Sequence, residues 1–118
     1  MDDFDVTLRK LTVRDERFVT SVLGSDEASL AESGLDRKTH ALIRISALIA
    51  LDAPPQSYTA CVDAARCSGA SAEEIVGALV ALIPVVGTPR VVSAAPKLGL
   101  ALGYDLDAAL EADLEPAG

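Results

Sequence analysis

Three cations stand inside or beside apolar segments of this chain: Arg44, Arg90 and Lys97. A cation taken out of water needs an anion beside it. A small carboxylate gripped by a guanidinium fork would serve. Thr88 and a helix start at Pro89 could add backbone donors to the same anion. A protein carboxylate would serve equally well, from Glu73, Glu74 or a neighbouring subunit, and internal pairing is the commoner arrangement. Tyr58 and Ser93 carry hydroxyls that could point into the same space. Each can also be a satisfied structural group.

Two thiols and one imidazole complete the reactive side chains. Cys61 lies on the apolar face of its predicted helix, about one turn in. As a nucleophile or redox thiol it would need a nearby cation or helix N-terminus to stabilise the thiolate. Free cysteine is more often a small packed hydrophobe. Cys67, near the end of the same helix, lies about 120° round from it, so a bridge between them would break the helix. His40 is the single histidine. It could act as a general base near neutral pH, but beside Arg37 and Lys38 it reads more simply as a solvated surface group. With one histidine and no suitable Cys/Glu spacing, neither zinc nor haem ligation is expected, and no cofactor or metal is assigned.

The elements that must position these residues are helical, because the apolar period is helical throughout and no run alternates convincingly. A first helix is predicted over residues 6–23, with Leu8, Leu11, Phe18, Val19 and Val22 apolar and Gly24 as its cap. Ser25 caps a short second helix, 26–33, ended by Gly34. Asp36 is an N-cap for the third. Its segment 41–51 is apolar nearly all round, which suits a central helix. Asp52-Ala-Pro-Pro55 stops it. The fourth helix spans about 56–68, with Gly69 as cap and Tyr58, Cys61, Val62 and Ala65 on one face. Ser71-Ala-Glu-Glu74 is a capping box opening a fifth helix that ends near Pro84. Thr88-Pro89 reads as N-cap and first helical residue. The sixth helix runs to Leu102 and Gly103, with a kink at Pro96. Asp105 or Asp107 starts a short last helix, and residues 115–118 fray.

The chain has 118 residues, is 50% hydrophobic but 3% aromatic, and carries a net charge of −8. One domain is expected, with a core of Ala, Val, Leu and Ile. The acidity excludes a phosphate-binding basic face, so no nucleic acid is expected. The acidic start MDDFDVTLRK has no signal-peptide pattern. The longest apolar run, 75–86, contains Pro84 and falls short of the roughly 20 residues a membrane span requires. Two cysteines make no disulfide framework and suit reduced thiols in a cytoplasmic protein. Helices 41–51 and 75–83 carry more apolar surface than so small a domain can bury, which implies a symmetric partner copy. Gly77, Ala78 and Ala81 would let backbones approach closely there.

The strings A-A-x-x-x-G-A-S-x-E-E-I, ending at Ile75, and V-x-G-x-P-R, ending at Arg90, resemble the carboxymuconolactone decarboxylase-like family. The resemblance covers about residues 35–104 within a single domain, 1–118. It implies a compact all-α bundle of about six to seven helices, alkyl hydroperoxidase D-like, assembled as a dimer, trimer or hexamer. The redox branch of that family carries C-x-x-C-x-x-x-H between the third and fourth helices. Counted back from Gly69, those positions hold Pro54, Ser57 and Cys61. With a one-residue gap they hold Ala53, Gln56 and Ala60. Its proton-relay glutamate falls on Ala41. Decarboxylating members carry histidine where Cys61 stands. The site of the family's known chemistry is therefore degenerate here.

Three functions follow as expectations. The first is a decarboxylase- or lactone-type enzyme acting on a small organic acid, with Cys61 and His40 as catalytic candidates and Arg44, Arg90, Tyr58, Ser93 and Lys97 as substrate-binding candidates. The second is a non-catalytic oligomeric binding or assembly protein. The third is a thiol-dependent peroxidase, which would need an external resolving thiol.

Overall fold

The computed structural model describes residues 3–104 together with Glu111. These residues are all-helical, with seven helices and no strand among them. The chain divides into two compact units, residues 1–36 and 37–118.

The first unit holds α1 (Asp3–Thr12), α2 (Glu16–Gly24) and α3 (Asp26–Ser33). One helix over 6–23 was expected, and two are found. Arg14 takes a left-handed conformation, φ 53°. Its N–H donates to the Leu11 carbonyl and that of Asp15 to Lys10. This paired pattern closes a helix end. Asp15 then caps α2, its carboxylate accepting from Phe18 N at 3.1 Å. The acid placed to start a helix overrides the continuous apolar period. Gly24 lies inside α2 and does not cap it. Ser25 is extended, and its hydroxyl accepts from Ala28 N to start α3. Gly34 ends α3 at φ 69°, as expected.

The second unit holds α4 (Arg37–Leu51), α5 (Pro55–Cys67), α6 (Ala72–Val86) and α7 (Thr88–Ala101). Every buried apolar residue among those described belongs to it. α4 contributes Ala41, Ile45 and Ile49, spaced by four on one face. Tyr58, Val62 and Ala65 of α5 meet them, with Ile75 and Leu79 of α6 and Val91, Ala94 and Leu98 of α7. α4 is buried on one face and not all round: Ile43 and Leu51 are exposed.

The capping box forms as read: Glu74 N donates to Ser71 Oγ and Ser71 N to Glu74 Oε1, both at 3.0 Å. α6 does not end at Pro84 but continues to Val86, closing with Gly87 N on Ile83 O. Gly87, at φ 92°, is the N-cap of α7. Thr88 and Pro89 are therefore its first two residues, so the helix starts one residue earlier than expected. Pro89 still sits where its missing N–H costs nothing. α7 is assigned as helix through Pro96, and Gly103 at φ 78° turns the chain beyond it. The predicted last helix from Asp105 or Asp107 and the fraying of 115–118 lie outside the described residues, apart from Glu111, which is helical and exposed. No helix among the described residues is long and apolar enough to cross a membrane.

Candidate functional site

The polar cluster with the longest reach in sequence forms where α4 ends. Asp52 N donates to Ile49 O at 3.2 Å and Ala53 N to Leu48 O at 3.0 Å. This closure requires a left-handed residue between them. Asp52 supplies it, at φ 54°. Aspartate tolerates that region better than most side chains, though less well than glycine. Pro54 and Pro55 follow at once and start α5.

The Asp52 carboxylate is held by α7. Ser93 Oγ donates to its Oδ1 at 3.0 Å, and Lys97 Nζ donates to the same oxygen at 3.2 Å. Lys97 Nζ also donates to Ala53 O at 3.0 Å. Ser93 and Lys97 are four apart on α7, and Arg90 lies one turn before Ser93, so all three share a face. The Ser93 hydrogen bond, then Lys97, hold the Asp52 carboxyl below its ordinary range, and the Arg90 charge adds to the effect. Asp52 is thus a carboxylate near neutrality. An ammonium has three donors, so the two hydrogen bonds of Lys97 leave one for a ligand.

Tyr58 lies in the first turns of α5, fully buried. Its hydroxyl has no hydrogen-bond partner among the described residues. Burial, and secondarily the Asp52 charge, push its pKa up, so it stays a protonated donor. An orphaned buried hydroxyl costs roughly 1–3 kcal/mol.

The structure therefore brings together four of the seven expected site residues. Ser93 and Lys97 share Asp52, Arg90 adds charge to it, and Tyr58 feels that charge. Of the other three, Arg44 and His40 lie further back along α4, and Cys61 stands one turn beyond Tyr58 on α5. At 1.5 Å of rise per residue, the backbones of Arg44 and His40 stand about 12 and 18 Å from Asp52 along α4. Arg44 is half-buried and not enclosed among apolar residues as expected, and no charged residue among those described is buried. His40 is half-buried rather than solvated, and both it and Arg44 have interaction partners. Glu74, one of the carboxylates that could have paired these cations, pairs with Lys38 at 2.9 Å. Cys61 is a free, half-buried thiol packed against the core, and Cys67 is free and exposed. No group of three or more potential metal ligands occurs among the described residues. The sequence marks Asp52 only as part of a helix stop. The available signal was an aspartate placed where an apolar helix must end before two prolines.

No curated protein and no solved structure gives a significant match to the chain. A model of the carboxymuconolactone decarboxylase family matches residues 17–98. That match begins inside α2, earlier than the strings around Gly69 and Pro89 suggested, and ends at Leu98 in the last turn of α7. It covers more than half of the sequence, including Asp52, Tyr58, Arg90, Ser93 and Lys97, and on that ground the chain belongs to the carboxymuconolactone decarboxylase family.

Proposed function

We propose that the chain is a decarboxylase- or lactone-type enzyme acting on a small organic acid, with its site at the end of α4. The observation that carries this reading is the Asp52–Ser93–Lys97 cluster, with Arg90 one turn before Ser93 on α7 and a buried, unpaired Tyr58 hydroxyl on α5. Arg90 and Lys97 outweigh Asp52 by one positive charge in a chain whose net charge is −8. Such a local excess attracts an anion. In this reading the exposed Arg90 guanidinium and the third Lys97 donor hold the substrate carboxylate. Tyr58, kept neutral by burial, donates to an oxygen on which negative charge develops when the turn at Asp52 opens. Asp52 orients Ser93 and Lys97. Arg44, Cys61 and His40 take no part.

A thermal-shift screen of small carboxylic acids tests this. An acid at a hundred times its dissociation constant stabilises by about 2.7 kcal/mol. That stabilisation should vanish in Lys97→Met and persist in Arg44→Met. If no acid shifts the wild type, the reading fails.

A non-catalytic oligomeric protein is the alternative, favoured by one observation. Val80 and Ile83 of α6 and Ile43 and Leu51 of α4 are all exposed. A side chain added at Gly77 would meet nothing within 4 Å, so this chain makes no use of the missing Cβ. In this proposal the helices around 41–51 and 75–83 face a second copy, in a dimer, trimer or hexamer of an alkyl hydroperoxidase D-like fold. Light scattering at micromolar concentration should then exceed the 12.2 kDa of one chain, and Val80→Glu should reduce it. A thiol peroxidase, the third reading, has only the half-buried Cys61 in its support. A cytoplasmic setting suits all three.

A further inference from the structure

Two donors of α7 already converge on one carboxylate oxygen. Ser93 Oγ and Lys97 Nζ stand 3.0 and 3.2 Å from Asp52 Oδ1. That position is a formed seat for a carboxylate oxygen, occupied by the chain itself. A carboxylate accepts on both oxygens, yet the second Asp52 oxygen has no hydrogen bond among the described residues. Asp52 is thus held from one side only.

The fold does not depend on this occupant. The end of α4 is closed by the backbone N–H groups of Asp52 and Ala53, and α5 starts at Pro55 without a side-chain cap. The Asp52 side chain can therefore leave while the turn stays. Its contacts also face water, since the side chains of Asp52 and Lys97 are 43% and 22% exposed. Ion pairs open to solvent contribute little, so a solute can compete for this one. The seat holds more positive charge than Asp52 neutralises. Arg90 is exposed, lies one turn before Ser93, and makes no hydrogen bond or ion pair among the described residues. A free carboxylate can accept from Ser93 and Lys97 with one oxygen and from the Arg90 guanidinium with the other.

We infer that a small carboxylate enters the proposed acid site by exchange: it takes over Ser93 Oγ and Lys97 Nζ from Asp52, whose side chain turns out to water. The inference rests on that site and makes Asp52 its built-in competitor. The apparent affinity for an acid is then reduced by the fraction of molecules in which the seat is free.

Acetate, titrated at neutral pH and constant ionic strength, tests the inference. In the wild type it should move the carboxyl carbon resonance of Asp52, identified by its absence in Asp52→Asn, toward the position it takes in the Ser93→Ala/Lys97→Met double variant. Asp52→Gly should bind acetate about tenfold more tightly, because its seat is always free. Part of any gain comes from the lost negative charge, so Ser93→Ala is added to Asp52→Gly. Exchange predicts a several-fold loss of affinity on that addition, and charge alone predicts none. An Asp52 resonance that stays in place while acetate binds the wild type would overturn the inference and leave the acid site standing. So would a gain in Asp52→Gly that Ser93→Ala does not reduce. Acetate binding by neither protein would also overturn it, and the screen of other acids would then judge the acid site by itself. If Asp52→Gly fails to fold, the wild-type resonance decides.

Discussion

α4 and α5 end with the same pair of hydrogen bonds, made by different residues. At the end of α5, Gly69 N donates to Arg66 O and Ala70 N to Ala65 O, with Gly69 at φ 94°. At the end of α4 the corresponding donors are Asp52 and Ala53, with Asp52 at φ 54°. Glycine reaches this region without steric cost, so the first closure depends on backbone alone. Aspartate pays a penalty there, and its side chain is then used by Ser93 and Lys97 of α7. The first end is only a stop. The second is a stop to which a third helix and two further cations have been added, which is the difference between a structural turn and a candidate site.

Substitution at the glycine end should produce the largest effect. Gly69→Val places a β-branched side chain at positive φ, where no neighbour could compensate for the strain. A loss of roughly 2 kcal/mol is expected, read as a fall in Tm of roughly 10 °C. An unchanged Tm would show that the backbone at this turn relaxes freely.

The aspartate end should answer differently to two substitutions. Asp52→Gly keeps the left-handed turn and loses the α7 contacts. Asp52→Ala loses both. The glycine variant should be the more stable of the two by urea denaturation, and neither should fall as far as Gly69→Val. If the alanine variant matches the glycine variant, the conformation at Asp52 carries no strain.

Tyr58→Phe removes a hydroxyl that has no partner and leaves the ring in the core. Stability should rise by about 1 kcal/mol. Loss of acid binding in the same variant would place the hydroxyl in the site. A fall in stability would mean that the hydroxyl is already satisfied in solution.

The smallest effect is that of pH. The folded state holds Asp52 below its ordinary value of 3.8 through Ser93 and Lys97. A depressed carboxyl stabilises above its unfolded value, and that contribution is lost as pH falls through the folded one. Below about pH 4 the wild type should therefore lose stability faster than Asp52→Asn. Glu74, lowered by the Ser71 backbone N–H and then Lys38, contributes equally to both proteins and cancels in the comparison.

Much of this fold was legible because its signals are local. The Ser71–Glu74 box, the glycines at 34 and 69 and the face Tyr58–Val62–Ala65 each depend on residues within a turn or two of one another. The break at Arg14 was missed because the apolar period runs across it, although Asp15 three residues before Phe18 was a readable cap. Pro84 does not stop α6, which continues to Val86. The site was half legible. Arg90, Ser93 and Lys97 could be placed on one face by spacing, and Tyr58 by its helix. Asp52 could not be joined to them, because its partners lie 41 and 45 residues away and only packing of α7 against the rest of the unit brings them close. Arg44 is half-buried rather than enclosed, because apolar neighbours in sequence do not enclose a side chain when one helix face is open to water.

The central claim is that a small acid binds at the aspartate end of α4. The most direct test is amide chemical-shift mapping with the carboxylic acid that most raises the Tm. The account predicts saturable changes at Asp52, Ala53, Ser93 and Lys97, absent in Lys97→Met. Changes confined to the surroundings of Arg44, His40 or Cys61, with the α4–α7 contact unmoved, would contradict it.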